Sequence, residues 1–151
     1  MQFLDLICIA ATAALAATGA GSTPPSVAVT RPASATLSVT FTGVEAKQGR
    51  IMVALYDEAG WQGGKPIRAE MVDVSAAETA IDLSDLPAGR YGVKAFHDVN
   101  GNGKMDANPF GMPIEPFAFS NNARGEMGPA RWADAVFTVA PGANTQTITI
   151  R

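Results

Sequence analysis

A loop near residue 100 carries oxygen-bearing side chains at every second position, as calcium loops do. Counted from Asp98, such side chains stand at positions 1, 3, 5 and 9, and a glycine stands at position 6, which matches a loop of EF-hand type. Position 7 of such a loop contributes its backbone carbonyl. Oxygen donors without nitrogen or sulfur favour calcium over zinc or copper. The sequence therefore predicts a metal site at Asp98, Asn100, Asn102, Lys104 and Asp106.

Two features separate this loop from a full EF-hand. Position 12, which usually holds a bidentate glutamate, is Pro109, and a predicted strand rather than a helix precedes the loop. With only two carboxylates in the loop, we expect weak, structural calcium binding with a Kd on the order of 10⁻⁴ to 10⁻³ M. Glu115 is a candidate for the missing carboxylate. The alternative is a turn in which Asn and Asp side chains bond the loop backbone without an ion.

The single histidine, His97, directly precedes this loop and is the residue best suited to catalysis. It shares a predicted strand face with Tyr91 and Val93, which favours a packed histidine over a general base. No serine lies in a G-x-S-x-G elbow. We therefore predict a non-enzymatic protein with no catalytic residues and no cofactor besides calcium. The alternative is an envelope-acting hydrolase that uses His97 with a neighbouring carboxylate, Asp98 or Glu115.

The elements that position these residues follow a period of two, which is typical of strands. Leu37, Val39 and Phe41 alternate with polar residues, whereas residues 51–56 are apolar on both faces and are interpreted as a central strand. Further strands are predicted at 67–74, 78–83, 90–97, 135–139 and 145–150. Seven short strands separated by turns predict an all-β fold, an antiparallel seven-stranded β-sandwich of immunoglobulin/transthyretin-like type.

Composition divides the 151 residues into three parts. Residues 1–20 contain a short apolar run and the only cysteine, Cys8, and are predicted to be a signal peptide. Residues 21–34 are rich in Pro, Ser and Thr and are predicted to be a flexible tether before a domain at 35–151. We expect a secreted or periplasmic protein that is not an integral membrane protein once processed. The 11 basic residues are scattered among 14 acidic ones, which argues against nucleic-acid binding.

The segment 108–128 is longer than most connections between strands, and long loops in compact domains are often functional. Its polar residues Ser120, Asn121, Asn122 and Arg124 stand near phenylalanines. They predict a binding surface, with an envelope protein or a glycan as the expected partner. The alternative is that the Phe and Met residues of this segment cover one end of the sandwich.

Residues 97–125, HDVNGNGKMDANPFGMPIEPFAFSNNARG, and the following GPARWADAVFTV resemble an exported bacterial family known as domain-of-unknown-function family 2141. The pieces GRIMVALYDEAGW and LPAGRYGVKAFHD resemble it too, so the similarity spans about residues 37–150. This resemblance implies an exported β-sandwich of uncharacterised role, without established catalytic residues. Separately, the loop at 98–106 is similar to the calcium loops of adhesin repeat domains. Together these features predict a cell-envelope binding or interaction module.

Overall fold

The computed structural model describes residues 34–151, which form eight strands joined by turns and two short helices. The predicted signal peptide and all of the predicted tether except Ser34 lie outside the described residues. The strands are β1 (Ser34–Thr42), β2 (Arg50–Tyr56), β3 (Arg68–Asp73), β4 (Thr79–Pro87), β5 (Gly89–Asp98), β6 (Phe117–Phe119), β7 (Phe137–Val139) and β8 (Gly142–Thr149). The helices are α1 (Glu58–Trp61) and α2 (Trp132–Ala135), and a 3-10 turn spans Ser120–Asn122. Neither helix has the length and apolar content to cross a membrane.

The strands form two sheets. The first sheet has the order β4-β1-β8, and the second has the order β3-β2-β5-β6, with β7 pairing with the start of β5. The predicted all-β class is confirmed, but the seven-stranded antiparallel arrangement is wrong in two respects. The described residues contain an eighth strand, β6, which is too short and too uniformly apolar to show a period of two. Strands β1 and β8 run parallel, which is possible because nearly the whole domain connects them.

One hydrophobic core joins the two sheets. Leu37, Val39 and Phe41 of β1 are fully buried and share this core with Ile51, Val53 and Leu55 of β2. The alternation predicted for β1 is therefore the alternation observed. Strand β2 does lie between β3 and β5, as a central strand should. Its second apolar face, however, points away from this core.

A second apolar cluster lies beside β5 and contains residues of both helices. Trp61 of α1 donates a hydrogen bond from Nε1 to the carbonyl of Ala130 at 2.9 Å and packs edge-on against Trp132 of α2, with ring centroids 5.7 Å apart. Helix α1 begins at a side-chain cap, since Oδ1 of Asp57 accepts a hydrogen bond from the backbone N–H of Gly60. Gly92 of β5 permits this packing, because a Cβ atom there would lie 2.7 Å from Cζ3 of Trp61.

Replacing Gly92 with alanine is expected to push the two indole rings off β5. Overpacking of this kind costs about 1–3 kcal/mol, so Gly92→Ala should lower the free energy of unfolding by that amount in urea titrations. Gly128→Ala is the matched control, because a Cβ atom at Gly128 meets nothing within 4 Å. Equal stability of the two variants would contradict the assigned packing.

Candidate functional site

The predicted calcium loop begins at Asp98, the last residue of β5. The Asp98 side chain is 1% exposed, and its two carboxylate oxygens accept hydrogen bonds from the backbone N–H groups of Asn102 at 3.0 Å and Gly103 at 2.7 Å. Such a tight reversal needs left-handed backbone, which Gly101 and Gly103 supply with φ of 73° and 74°. The sequence pattern therefore produces the sharp turn that it predicted.

The two asparagines of the loop direct their amide groups toward Asp106. Nδ2 of Asn100 donates to the Asp106 carboxylate at 2.6 Å, and Nδ2 of Asn102 donates to it at 2.9 and 3.0 Å. The Oδ1 atoms of the same amides accept backbone N–H groups, that of Asn100 from Asn102 and that of Asn102 from Lys104. These are the hydrogen bonds of an Asx turn, in which side chains complete the loop backbone.

Glu115 reaches this loop from 16 residues beyond its second position. Its Oε1 accepts a hydrogen bond from the backbone N–H of Val99 at 3.0 Å, and its Oε2 accepts one from Asp106 at 3.2 Å. The side chain is 7% exposed and takes part in none of the ion pairs found among residues 34–151. Glu115 therefore ties the two ends of the loop together through backbone amides.

The predicted metal-site residues all lie in this one loop, although their acids do not converge into a cluster. Within residues 34–151, no group of three or more His, Cys, Asp or Glu side chains is arranged to hold a metal ion. The oxygen-only donor set suits calcium chemically. The amide N–H groups that face Asp106 would have to turn away for a cation to bind there, so calcium binding stays a prediction.

His97 is sealed inside the protein. Its ring is fully buried, and its Nε2 lies 2.7 Å from the carbonyl oxygen of Gln48. Since a carbonyl only accepts hydrogen bonds, Nε2 carries a proton in this contact. Asp98 and Glu115, the carboxylates considered for a hydrolase, are occupied by backbone amides. The geometry gives the hydrolase alternative no support, and the non-enzymatic assignment stays a prediction.

Of the polar residues predicted to form a binding surface, Ser120 is buried, whereas Asn121, Asn122 and Arg124 are exposed. Oγ of Ser120 is fully buried, accepts a hydrogen bond from Val93 N and donates one to Ala135 O. Nδ2 of Asn121 donates to Val136 O at 2.8 Å, and Oδ1 of Asn122 accepts from Thr149 N at 2.7 Å. The side chains of residues 120–122 therefore fix the 3-10 turn to β5, to β8 and to the end of α2. Asn122 and Arg124 also line a cavity of about 230 Å³.

The outer face of the second sheet, which points away from the core, is largely apolar. Residues paired across neighbouring strands project to the same face, so the register defines two rows on this surface. The rows are Phe117, Phe96, Met52 and Met71, and beside them Phe119, Lys94, Ala54 and Ala69. An antiparallel sheet with one solvated face normally places polar side chains there. This face departs from that pattern and is the surface that sequence reasoning missed.

Two loop segments, 111–113 and 125–129, join this face to form a groove of about 910 Å³. Four methionines line the groove, and Met112 and Met127 are 64% and 102% exposed. The methionines are Met52, Met105, Met112 and Met127. The signal for this surface was present in the sequence, because residues 51–56 are apolar on both faces, but that pattern was interpreted as burial on both sides.

Lys94 marks the boundary between the groove and the second apolar cluster. Its Nζ donates to the carbonyl of Trp61 at 2.7 Å and lies 4.6 Å from the ring centroids of both Tyr56 and Trp61. Burial lowers the pKa of the Lys94 ammonium. None of the ion pairs in the described part of the chain involves Lys94. The groove therefore contains a partly desolvated cation without a carboxylate partner.

Removing the Glu115 carboxylate should weaken the fold, because two backbone N–H groups would lose charged acceptors. A hydrogen bond to a charged group contributes about 1.5–3 kcal/mol, so Glu115→Ala should lower the free energy of unfolding by at least that amount. Glu78→Ala is the control, since Glu78 is exposed. Urea titrations of the two variants measure the difference, and a loss no larger than that of the control would refute the bridging role of Glu115.

Comparison with known proteins supports the resemblance seen in the sequence. The family described as "Uncharacterized protein conserved in bacteria (DUF2141)" matches residues 39–148, which is most of the chain. No curated protein and no solved structure matches the chain. The match contains β2, β5, the loop at 98–106 and both groove segments. The chain therefore belongs to the DUF2141 family of uncharacterised bacterial proteins.

Proposed function

We propose that this protein is an exported, non-enzymatic binding module of the cell envelope whose ligand surface is the apolar groove. The observation that carries the proposal is the outer face of the second sheet, where Phe96, Met52 and Ala54 face outward. Covering such a surface releases its ordered water, and this release drives association. A ligand would thus stabilise the module by covering a face that the core leaves open.

The size and lining of the groove suit a small ligand. Ligand pockets commonly enclose roughly 300–1,000 Å³ and are lined by apolar residues with a few polar groups. The groove, at about 910 Å³, is within this range. Its charged lining residues are Lys94, Glu70 and Glu126. Methionine side chains adapt their shape to different partners, so the groove favours a class of apolar molecules over a single rigid shape.

An apolar ligand fits this surface better than the glycan expected from the sequence. Glycan recognition requires polar groups that are free to bond a ligand. Oγ of Ser120, Nδ2 of Asn121 and Oδ1 of Asn122 bond the protein's own backbone, and none of these residues lines the groove. Shape-adaptable apolar side chains, in contrast, remain exposed along the groove at Met112 and Met127.

Binding of the neutral fluorescent probe N-phenyl-1-naphthylamine tests the proposal. The unmodified protein should bind the probe, and the double variant Met112→Gln/Met127→Gln should bind it about tenfold more weakly, because less apolar surface is buried. Ile114→Gln is the control, since Ile114 is 64% exposed, like Met112, and does not line the groove. If the unmodified protein fails to bind the probe, or if Ile114→Gln has the same effect, the groove is not the ligand surface.

As a second proposal, the loop at 98–106 binds calcium weakly as a structural brace. Its support is the oxygen-only donor set of the loop, to which Glu115 is joined through the backbone N–H groups of Val99 and Asp106. Three carboxylates beside one loop, none of them in an ion pair within residues 34–151, leave negative charge that a cation would offset. This role would be structural rather than catalytic.

Thermal melting in calcium tests the second proposal. At ten times the Kd, an ion that binds only the folded state adds about 1.4 kcal/mol, so millimolar calcium should raise the Tm relative to EDTA. Asp106→Asn should abolish the increase, whereas Asp82→Asn, on β4, should keep it. An equal Tm in calcium, magnesium and EDTA would show an ordinary turn.

A further inference from the structure

We infer that the groove takes an amphiphile with an apolar chain and an anionic head, and that Lys94 binds the head. This inference rests on the proposed binding function and adds the chemical class of the ligand. It follows from the position and hydrogen bonding of one side chain, which lies where the apolar floor of the groove meets the aromatic cluster around Trp61.

The Lys94 ammonium has a fixed position and retains N–H donors that make no hydrogen bond within the described residues. An ammonium group has three N–H donors, and Nζ of Lys94 makes one hydrogen bond within residues 34–151, to the carbonyl of Trp61. The rings of Tyr56 and Trp61, both 4.6 Å away, fix its position through cation–π contacts. The remaining donors are free to bind the oxygens of a carboxylate or a phosphate.

The surroundings of Lys94 strengthen such a contact. Burial removes part of the water that would otherwise compete, and an ion pair is stronger in a less polar medium. Phe119 and Ala54, the residues that pair with Lys94 on the two neighbouring strands, are both apolar. An anionic head at Lys94 would therefore form a charge-assisted hydrogen bond shielded from bulk solvent.

The rest of the groove fits the apolar part of the same molecule. From Lys94, the floor continues across β2 and β3 through Ala54 and Ala69, whose small side chains leave depth. The neighbouring row places Phe96 and Met52 alongside. A chain that starts at Lys94 would therefore lie over apolar side chains, while its head stays at the cation.

The experiment measures binding of four compounds with a twelve-carbon chain to the full chain by displacement of N-phenyl-1-naphthylamine, below the micelle concentration or solubility limit of each. Dodecanoate and dodecyl phosphate carry anionic heads, dodecanol is neutral, and dodecyltrimethylammonium is cationic. At least one anionic compound should bind about tenfold more tightly than dodecanol. A preference between the two anions would distinguish a fatty acid from a phosphate-bearing lipid.

Variants of Lys94 separate charge from packing. Lys94→Met keeps the apolar stem and should reduce binding of the anions to the level of dodecanol, while dodecanol itself binds as before. Lys94→Arg should restore the preference for anions, and Lys65→Met, at an exposed lysine outside the groove, should retain it. Urea titrations confirm that each variant is folded.

Two outcomes would overturn the inference while leaving the binding function intact. Equal affinity of the unmodified protein for all four compounds would show that Lys94 contributes no selectivity. Tightest binding of the cationic compound would assign the head to Glu70 or Glu126. Failure of the unmodified protein to bind the neutral probe and dodecanol would instead refute the proposed function itself.

Discussion

The antiparallel pairing of β5 with β2 is the contact on which the rest of the structure depends. It places Ile51 opposite His97 and Ala54 opposite Lys94, so that one side of the pair builds the core and the other builds the groove. Because neighbouring residues of a strand point to opposite faces, a shift of one residue would exchange the two sets. It would move Lys94 into the core and His97 toward solvent. Strands β6 and β7 then pair with the free edge of β5, and the loop at 98–106 begins where β5 ends.

The outer face of this strand pair is the surface on which the proposed binding function rests. Part of it is covered by the second apolar cluster, in which Trp61 and Trp132 pack over Gly92. Beyond Lys94 the same face continues without such a cover and becomes the groove. The ammonium of Lys94 lies at this boundary, where the rings of Trp61 and Tyr56 compensate for part of its lost hydration. The packing that stabilises the fold thus also positions Lys94, the charged group that we propose binds the ligand.

The loop at 98–106 shows how far a local pattern can carry a prediction. Residues within a few positions of each other determine its turn, and the glycines and the Asx hydrogen bonds are found where the spacing put them. Glu115 was identified as a candidate for this loop, but sequence spacing could not give its partners, because tertiary packing brings it back. The partners of the polar run at 120–122 are likewise set by tertiary packing. The side chains of Ser120, Asn121 and Asn122 each bond the backbone of residues distant in the sequence.

The sequence by itself determined the all-β class, seven of the eight described strands, the sharp turn after Asp98 and the family, because alternation, turn residues and local spacing are short-range properties. Only the tertiary structure decided the parallel pairing of β1 with β8, the strand β6 and the sealing of His97. It also decided what the two apolar faces of β2 mean. A strand with two apolar faces has the same sequence whether its outer face is packed against a second layer or lines an open groove. Residues distant in the chain decide between these two arrangements.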